Sequence, residues 1–367
     1  MTAGHGEMRD LHWFVYVEAV SPARSSLLAG LVAAVLGGCA AVPGDPGGRT
    51  PATQLPLLAP APAAAVGPDT VVVLRSGEPT FAELDRLVGK AHLGVEIEVY
   101  EFGRTDLAGA LVAARGRGVA TTVIDDPSEA ATASTALSLR ANAVNVVDYP
   151  IRARMIDHVK LLIVDGQVAV VGGINWGAGS AANHDFDVEV RGPAVANLER
   201  VFMRDLVSCG RGEVVPPPVP DPSILVAATL PGAEILPMVL GVVGRAARTL
   251  DVAMYTLTDA AVVAAMEAAQ ARGVVVRVLL DPSERPSDPS AASLRAHGVA
   301  VRLYRSSGEK LHAKAAIADD TTMVLGSANW TVSGFEHNHE LDVSIPGDAV
   351  VAAAFEQQFV SDWFASA

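Results

Sequence analysis

His158-Val159-Lys160-Leu161-Leu162-Ile163-Val164-Asp165 and His312-Ala313-Lys314-Ala315-Ala316-Ile317-Ala318-Asp319 are the stretches on which the fold turns. In both, Lys follows His by two positions and Asp follows it by seven. Both then run into a glycine turn and an asparagine, Gly172-Gly173-Ile174-Asn175-Trp176 and Gly326-Ser327-Ala328-Asn329-Trp330. The residues between Lys and Asp are short and apolar, which predicts a buried strand. Side chains two apart on a strand share a face, so His158 points with Lys160 and His312 with Lys314. The chain has only four lysines (Lys90, Lys160, Lys310, Lys314) against 23 arginines, and two of the four fall in these stretches. Those positions call for a compact ammonium rather than a planar guanidinium.

The correspondence extends outward. Residues 95–100 match 250–255 as strands, and the helical patterns 106–117 and 259–272 open at Asp106 and Asp259, suited to capping, and close at Gly118 and Gly273. Asp126-Pro127-Ser128-Glu129 and Asp281-Pro282-Ser283-Glu284 read as helix starts, and strands at 143–147 and 299–304 lead to the motifs. After each asparagine come Asn183-His184-Asp185 or Asn338-His339-Glu340, then a C-terminal helix. Strands alternating with helices predict an α/β chain of two repeats, 71–212 and 223–367, joined by a Pro-rich linker at 213–222.

Residues 40–70 are rich in Pro, Ala and Gly without periodicity and are expected to be a disordered tether. Ahead of it, Arg24 precedes the apolar run 27–36, which has the length of a signal-peptide core rather than of a membrane span. Leu36-Gly37-Gly38-Cys39 resembles a bacterial lipobox, making 1–39 a signal segment and Cys39 the lipidation site. An extracytoplasmic protein, lipid-anchored to the cell membrane or secreted, is expected. Asp10 and Glu18 suit a basic leader poorly, so translation is expected to start near Val20. Cys209 is then a lone thiol at a helix end, read as a small buried residue. The net charge of −14 argues against a surface built for nucleic-acid backbones.

With both motifs and their scaffolds in view, the chain resembles the phospholipase D superfamily, whose hallmark is His-x-Lys, four residues, Asp, six residues, Gly-Gly/Ser-x-Asn. The likeness runs from about Val71 to the C-terminus. With Asp157 before the first His and residues 160–166 after it, the chain is similar to the bacterial cardiolipin-synthase-like and phospholipase-like branch. Gly173 departs from the second copy, which has Ser327. The resemblance implies two tandem α-β-α sandwich repeats related by a pseudo-twofold axis, with the active site at their interface. It implies His158 as nucleophile and His312 as general acid/base, with Asp185 and Glu340 orienting a histidine and favouring its charged form. Asp165 and Asp319 complete the catalytic motifs, with a structural role expected for both through backbone hydrogen bonds.

Chemistry reaches the same residues. A phosphodiester is anionic and its leaving oxygen needs a proton; two imidazoles, titrating near neutral pH, can attack phosphorus and supply that proton. Lys160, Lys314, Asn175 and Asn329 would hold the phosphoryl oxygens, with Ser327 and the Gly173 turn adding contacts. No metal or cofactor is expected: His184, His337 and His339 lie in polar loops without zinc-type spacing and read as residues that support the site from behind or face solvent. His92 and His297 read as surface residues, and Trp176 and Trp330 as packing under the glycine turns. The expected function is a monomeric, metal-independent hydrolysis of phospholipid at a membrane surface to phosphatidate and free head group, with transphosphatidylation as a variant. The alternatives are an extracytoplasmic nuclease acting on nucleic acid and, last because neither motif is degraded, a non-catalytic phosphate-binding surface lipoprotein.

Overall fold

The strand after each motif histidine is apolar on both faces because both faces are covered. The computed structural model describes residues 63–366 except 221, 306, 307 and 348. The signal segment and Cys39 lie outside the described residues. The first repeat runs β1 (Ala64–Val66), β2 (Asp69–Leu74), α1 (Glu78–Lys90), β3 (Gly94–Val99), α2 (Thr105–Gly116), β4 (Ala120–Asp125) and α3 (Ala130–Ala141). It continues with β5 (Asn145–Asp148), β6 (Lys160–Val164), β7 (Val168–Gly172), β8 (Asn183–His184), β9 (Asp187–Arg191) and α4 (Ala194–Ser208). The second runs β10 (Leu225–Ala228), α5 (Ile235–Arg245), β11 (Thr249–Met254), α6 (Ala260–Ala271), β12 (Val275–Leu280) and α7 (Asp288–Ala296). Then come β13 (Ala300–Leu303), β14 (Lys310–Leu311), β15 (Lys314–Ala318), β16 (Thr322–Gly326), β17 (Leu341–Pro346) and α8 (Ala349–Ala365).

Strand order is β1-β2-β9-β7-β6-β3-β4-β5 in one sheet and β10-β17-β16-β15-β11-β12-β13 in the other, one topology used twice apart from the edge strand β1. Leu161 and Ile163 of β6 share a central core with Ala315 and Ile317 of β15 and with α4 and α8. Leu162 and Val164 face the other way, under α1 and α2, and Ala316 and Ala318 lie under α5 and α6. The period of two thus serves two cores at once, which is why no polar residue interrupts the run. The expected pair of face-to-face α-β-α sandwiches is what forms. The repeats also exchange backbone bonds: β14 pairs in parallel with β8, and its mirror image is the bridge between Asp157 and His339. Among the described residues no helix is long and apolar enough to cross a membrane.

Two sequence expectations need correction. Order begins before residue 71, because β1 pairs antiparallel with β2 inside the stretch read as tether, turning at Gly67 with φ +60°. Three residues are too few to show a period, so composition hid the strand. Asp106 does not cap α2; the capping position is Arg104. The carbonyl of Trp176 accepts the Gly103 and Arg104 N–H groups, as that of Trp330 accepts those of Thr258 and Asp259, so both helices start at one structural place. Asp259 occupies that place and accepts from the Ala261 and Val262 N–H groups. The first repeat has Arg104 there, tied to Asp106 at 2.5 Å.

Asp165 and Asp319 end β6 and β15 in the left-handed region, each with φ +55°. The Asp165 carboxylate accepts the His92, Leu93 and Gly94 N–H groups, and Asp319 accepts those of Ala247, Arg248 and Thr249. Both therefore sit at the strand end away from Lys160 and Lys314, and their grouping with the catalytic residues is corrected: they lock the turn that leads into β3 or β11. Asp165→Ala is expected to lower unfolding free energy by about 2 kcal/mol in a urea titration, through three lost charge-assisted bonds on a partly solvated turn. The kcat of the folded variant should be unchanged; a large fall in kcat without loss of stability would place Asp165 in the chemistry instead.

Candidate active site

Each motif histidine precedes its strand and is held from three sides. The His158 N–H donates to the carbonyl oxygen of His339 (2.8 Å), and the neighbouring Asp157 N–H donates to Asp126 Oδ2 (2.8 Å). Its Nδ1 lies 2.8 Å from Glu340 Oε2. In the other repeat the His312 N–H donates to the carbonyl oxygen of His184 (2.9 Å), Leu311 N–H to Asp281 Oδ2 (2.8 Å), and Nδ1 lies 3.0 and 3.2 Å from the Asp185 oxygens. The acids cross over: Glu340 serves the first repeat's histidine and Asp185 the second's. The repeated Asp-Pro-Ser-Glu segments, read as helix starts, also anchor the backbone one residue before each histidine.

The lysines lie beneath the rings. Lys160 Nζ donates to the His158 carbonyl oxygen (2.5 Å); Lys314 Nζ donates to that of His312 and is 3.0 Å from both ring nitrogens. Tyr100 and Tyr255, at the ends of β3 and β11, stand with ring centroids 5.0 Å from His158 and His312, and each ring also faces its repeat's lysine. Sequence reading passed over both, although a tyrosine closes the same strand in each repeat. Asn175 and Asn329 come off the glycine turns with Oδ1 buried and unpartnered, and the amide Nδ2 of each is the group able to donate to an anionic oxygen.

Burial sets the electrostatics. All four cationic side chains are buried: His158 and His312 are 6% exposed, Lys160 3% and Lys314 1%. Burial, helped by the two ammonium groups, holds His158 well below its usual value and His312 down at about 4. It also brings Lys160 to about 7 and Lys314 to about 8. Burial lifts Glu340 to about 7; for Asp185 burial acts the same way but contact with His312 outweighs it and the carboxyl is held low. Asp185 does favour the charged form of His312, as expected, but burial and the ammonium groups outweigh it. The protein's own groups favour neutral imidazoles, and a bound phosphodiester anion is what would raise them.

The glycine turn also departs from expectation. Ser327 was placed on the substrate phosphate, but its hydroxyl donates to Glu340 Oε2 (2.6 Å) and accepts the Leu341 N–H (3.0 Å). A Cβ at Gly173 would stand 2.6 Å from Asp185 Oδ1 and 3.4 Å from the Gly326 carbonyl oxygen. Glycine is needed there because the carboxylate that orients His312 occupies the space. Both residues set the position of an acid.

His184 and His339 are not solvated. His339 Nε2 is 3.0 Å from Asp205 Oδ2 and its ring stacks on Tyr149 at 5.0 Å; His184 Nε2 is 2.7 Å from Asp362 Oδ2 and stacks on Tyr304 at 5.4 Å. Each imidazole thus secures the backbone that holds the opposite motif histidine. Polar neighbours in sequence disguised this, since Asp205 and Asp362 lie far along the chain on α4 and α8. His337, His92 and His297 are exposed, whereas Trp176 and Trp330 pack in the core as expected. Cys209 caps the end of α4, and burial pushes its thiol up to about 12. Among the described residues, Glu98, Asp205 and His339 form the grouping that could hold a metal ion, with ligand atoms within 4.8 Å. Burial alone would lower the His339 imidazole, but Asp205 and Glu98 raise it well above its usual value, so an imidazolium supplies the countercharge.

A family model described as "Cardiolipin synthase, PLD-like domain" matches residues 84–206 and again 239–363, one match on each side of the linker. The chain belongs to the phospholipase D-like family. It is 37% identical over 120 residues to the mitochondrial cardiolipin hydrolase of Xenopus tropicalis, a match that spans 32% of this chain and 56% of that protein. It is 27% identical over 376 residues to a cardiolipin synthase A of Pseudomonas putida, covering 92% of this chain and 73% of the relative. Among solved structures, phosphatidylserine synthase from Haemophilus influenzae aligns with a TM-score of 0.61 at 11% identity, covering 80% of this chain and 86% of that one, which supports the fold. The chain spans little more than half the length of the first of these relatives, and both motifs of the superfamily are complete in it.

Proposed function

We propose that this enzyme is a phospholipase D-type phosphodiesterase cleaving phospholipids to phosphatidate and a free head group. The observation that carries this is the crossed clamp: each imidazole is fixed through Nδ1 by the other repeat's carboxylate, and each feels the charge of both Lys160 and Lys314, which supports a site shared by the two repeats. Nε2 is then the nitrogen for chemistry, free of the carboxylate in both rings, with that of His312 also 3.0 Å from Lys314 Nζ. His158 Nε2 attacks phosphorus, the P–O bond to the head group breaks, and protonated His312 gives its proton to the departing oxygen. His312 next takes a proton from water as the water oxygen attacks phosphorus; the N–P bond breaks and phosphatidate leaves. An alcohol in place of water gives transphosphatidylation. Lys160, Lys314, Asn175 and Asn329 meet the charge on the phosphoryl oxygens. No step in this scheme uses a metal.

Three features favour lipid over nucleic acid. Relatives similar to this chain are named for cardiolipin, whose head group is itself a phospholipid. The leader ending at Cys39 would anchor the enzyme at a bilayer, outside the cytoplasm. A net charge of −14 suits a polyanion poorly. The test is the purified protein on vesicles of choline, ethanolamine and glycerol phospholipids and cardiolipin, in parallel with single-stranded DNA. Phosphatidate release is expected from at least one lipid, unchanged by EDTA, with the DNA intact. Cleavage of DNA alone would make it a nuclease, phosphate binding without turnover of either would leave a binding protein, and loss of activity in EDTA would refute the metal-free chemistry.

A further inference from the structure

Where the two repeats meet away from the motifs, a cavity of about 570 Å³ opens between α4, the Pro-rich linker, β10 and α5. None of the motif residues lines it, but Arg200, Arg204 and Arg245 do. Asn197, Arg200, Val201 and Arg204 recur at helical spacing, so a single stripe of α4 faces the cavity. Arg200 Nε and Arg204 Nε and Nη2 are buried without a hydrogen-bond partner. Arg204 Nε lies 3.6 Å from Asp205 Oδ1, too long for a hydrogen bond. Among the described residues Glu234 is the one acid on the wall, and it already accepts the Ala228 N–H through Oε2 (3.2 Å). Among the described residues three guanidinium groups, Arg245 of them exposed, thus line the cavity with Glu234, and Arg204 has in addition only the long ion pair to Asp205. Buried guanidinium donors left unmade are costly, and a planar fork matches a phosphate oxygen pair.

The remaining wall is apolar, with Val219, Leu225, Val226 and Met238 on it, and Leu225 is 46% exposed at its margin. The linker is fixed as part of this wall, because the Val219 N–H donates to Asn197 Oδ1 (2.9 Å). The volume falls in the range of small-molecule sites, roughly 300–1,000 Å³, and exceeds what a bare phosphate fills.

We propose that this cavity is a second binding site, for a lipid phosphate monoester: the arginines clamp the phosphate, and the glycerol and first acyl carbons lie on Leu225, Val226 and Met238. The assignment is independent of the phosphodiesterase proposal, since it concerns binding at residues outside the motifs. The test is calorimetric titration of the full chain with dioctanoyl phosphatidate below its micelle concentration, alongside inorganic phosphate and dioctanoylglycerol. Wild type is expected to bind one equivalent more than the Arg200→Gln/Arg245→Gln variant, whose affinity at the cavity should fall by about tenfold or more. If the motif site also takes phosphatidate, the counts are two and one; if it does not, one and none. Inorganic phosphate should bind the cavity about tenfold or more weakly than the lipid, and dioctanoylglycerol not at all. Equal stoichiometry and affinity in wild type and variant, with matching melting temperatures, would overturn the site. Free phosphate binding there as tightly as the lipid would overturn the assignment of an amphiphile.

Discussion

His158→Ala and His312→Ala are each expected to lose about four orders of magnitude or more in kcat, and to fail at different steps. His158 is the group that forms the bond to phosphorus, and its orientation comes from Glu340 in the other repeat. His312, aligned by Asp185, must deliver a proton to the head-group oxygen and later remove one from water. A phosphodiester with a p-nitrophenolate leaving group needs no such proton. With it, His312→Ala should still give a burst of about one p-nitrophenolate per enzyme and then stall as the phosphohistidine, because water lacks its base. His158→Ala should give no burst. A burst from His158→Ala and none from His312→Ala would exchange the two roles; substantial steady-state turnover by either would end the two-histidine mechanism. Both rings are buried, so melting temperatures of the variants are needed to separate lost chemistry from lost structure.

The motif strands were legible because their evidence is local. His158, Lys160 and the apolar run after them lie within one strand length, and the second copy repeats the His, Lys, Asp and Asn of the motif at the same spacing. Partner choice across the interface was not legible. Glu340 lies 182 residues from His158, and Asp185 lies 127 from His312. A sequence with internal symmetry names both acids and both histidines without saying that the pairs cross, because either arrangement satisfies the spacing equally. Ser327 was misread for a related reason: a hydroxyl beside an active-site turn looks like a phosphate donor until the Glu340 carboxylate is seen to take it. At Gly173 the expectation was a turn that touches the phosphate, whereas what the missing Cβ does is make room for Asp185. The stacked, ion-paired His184 and His339 could not be told from solvated loop histidines, since each pairing is completed by a helix that arrives much later or earlier in the chain.

Replacing the motif lysines by arginine is expected to do nearly as much harm as replacing them by methionine, about 10²–10³ in kcat/KM for each of Lys160 and Lys314. Charge is conserved in Lys→Arg, so a purely electrostatic account would forecast a mild effect. The geometry forecasts a severe one: each ammonium is buried under an imidazole and bonded to that residue's own carbonyl oxygen, a space that a planar guanidinium does not fit. Burial also makes these cations titratable, at about 7 for Lys160 and about 8 for Lys314. An anion binds the charged form, so affinity for inorganic phosphate should weaken as pH rises through that window, and binding there should take up protons, since the anion raises both lysines toward their ordinary values. Calorimetry in buffers of different ionisation enthalpy reads that uptake directly. Near-native kcat/KM in both arginine variants, or phosphate affinity constant from about pH 6 to 9, would mean that the ammonium groups do not touch the phosphoryl oxygens.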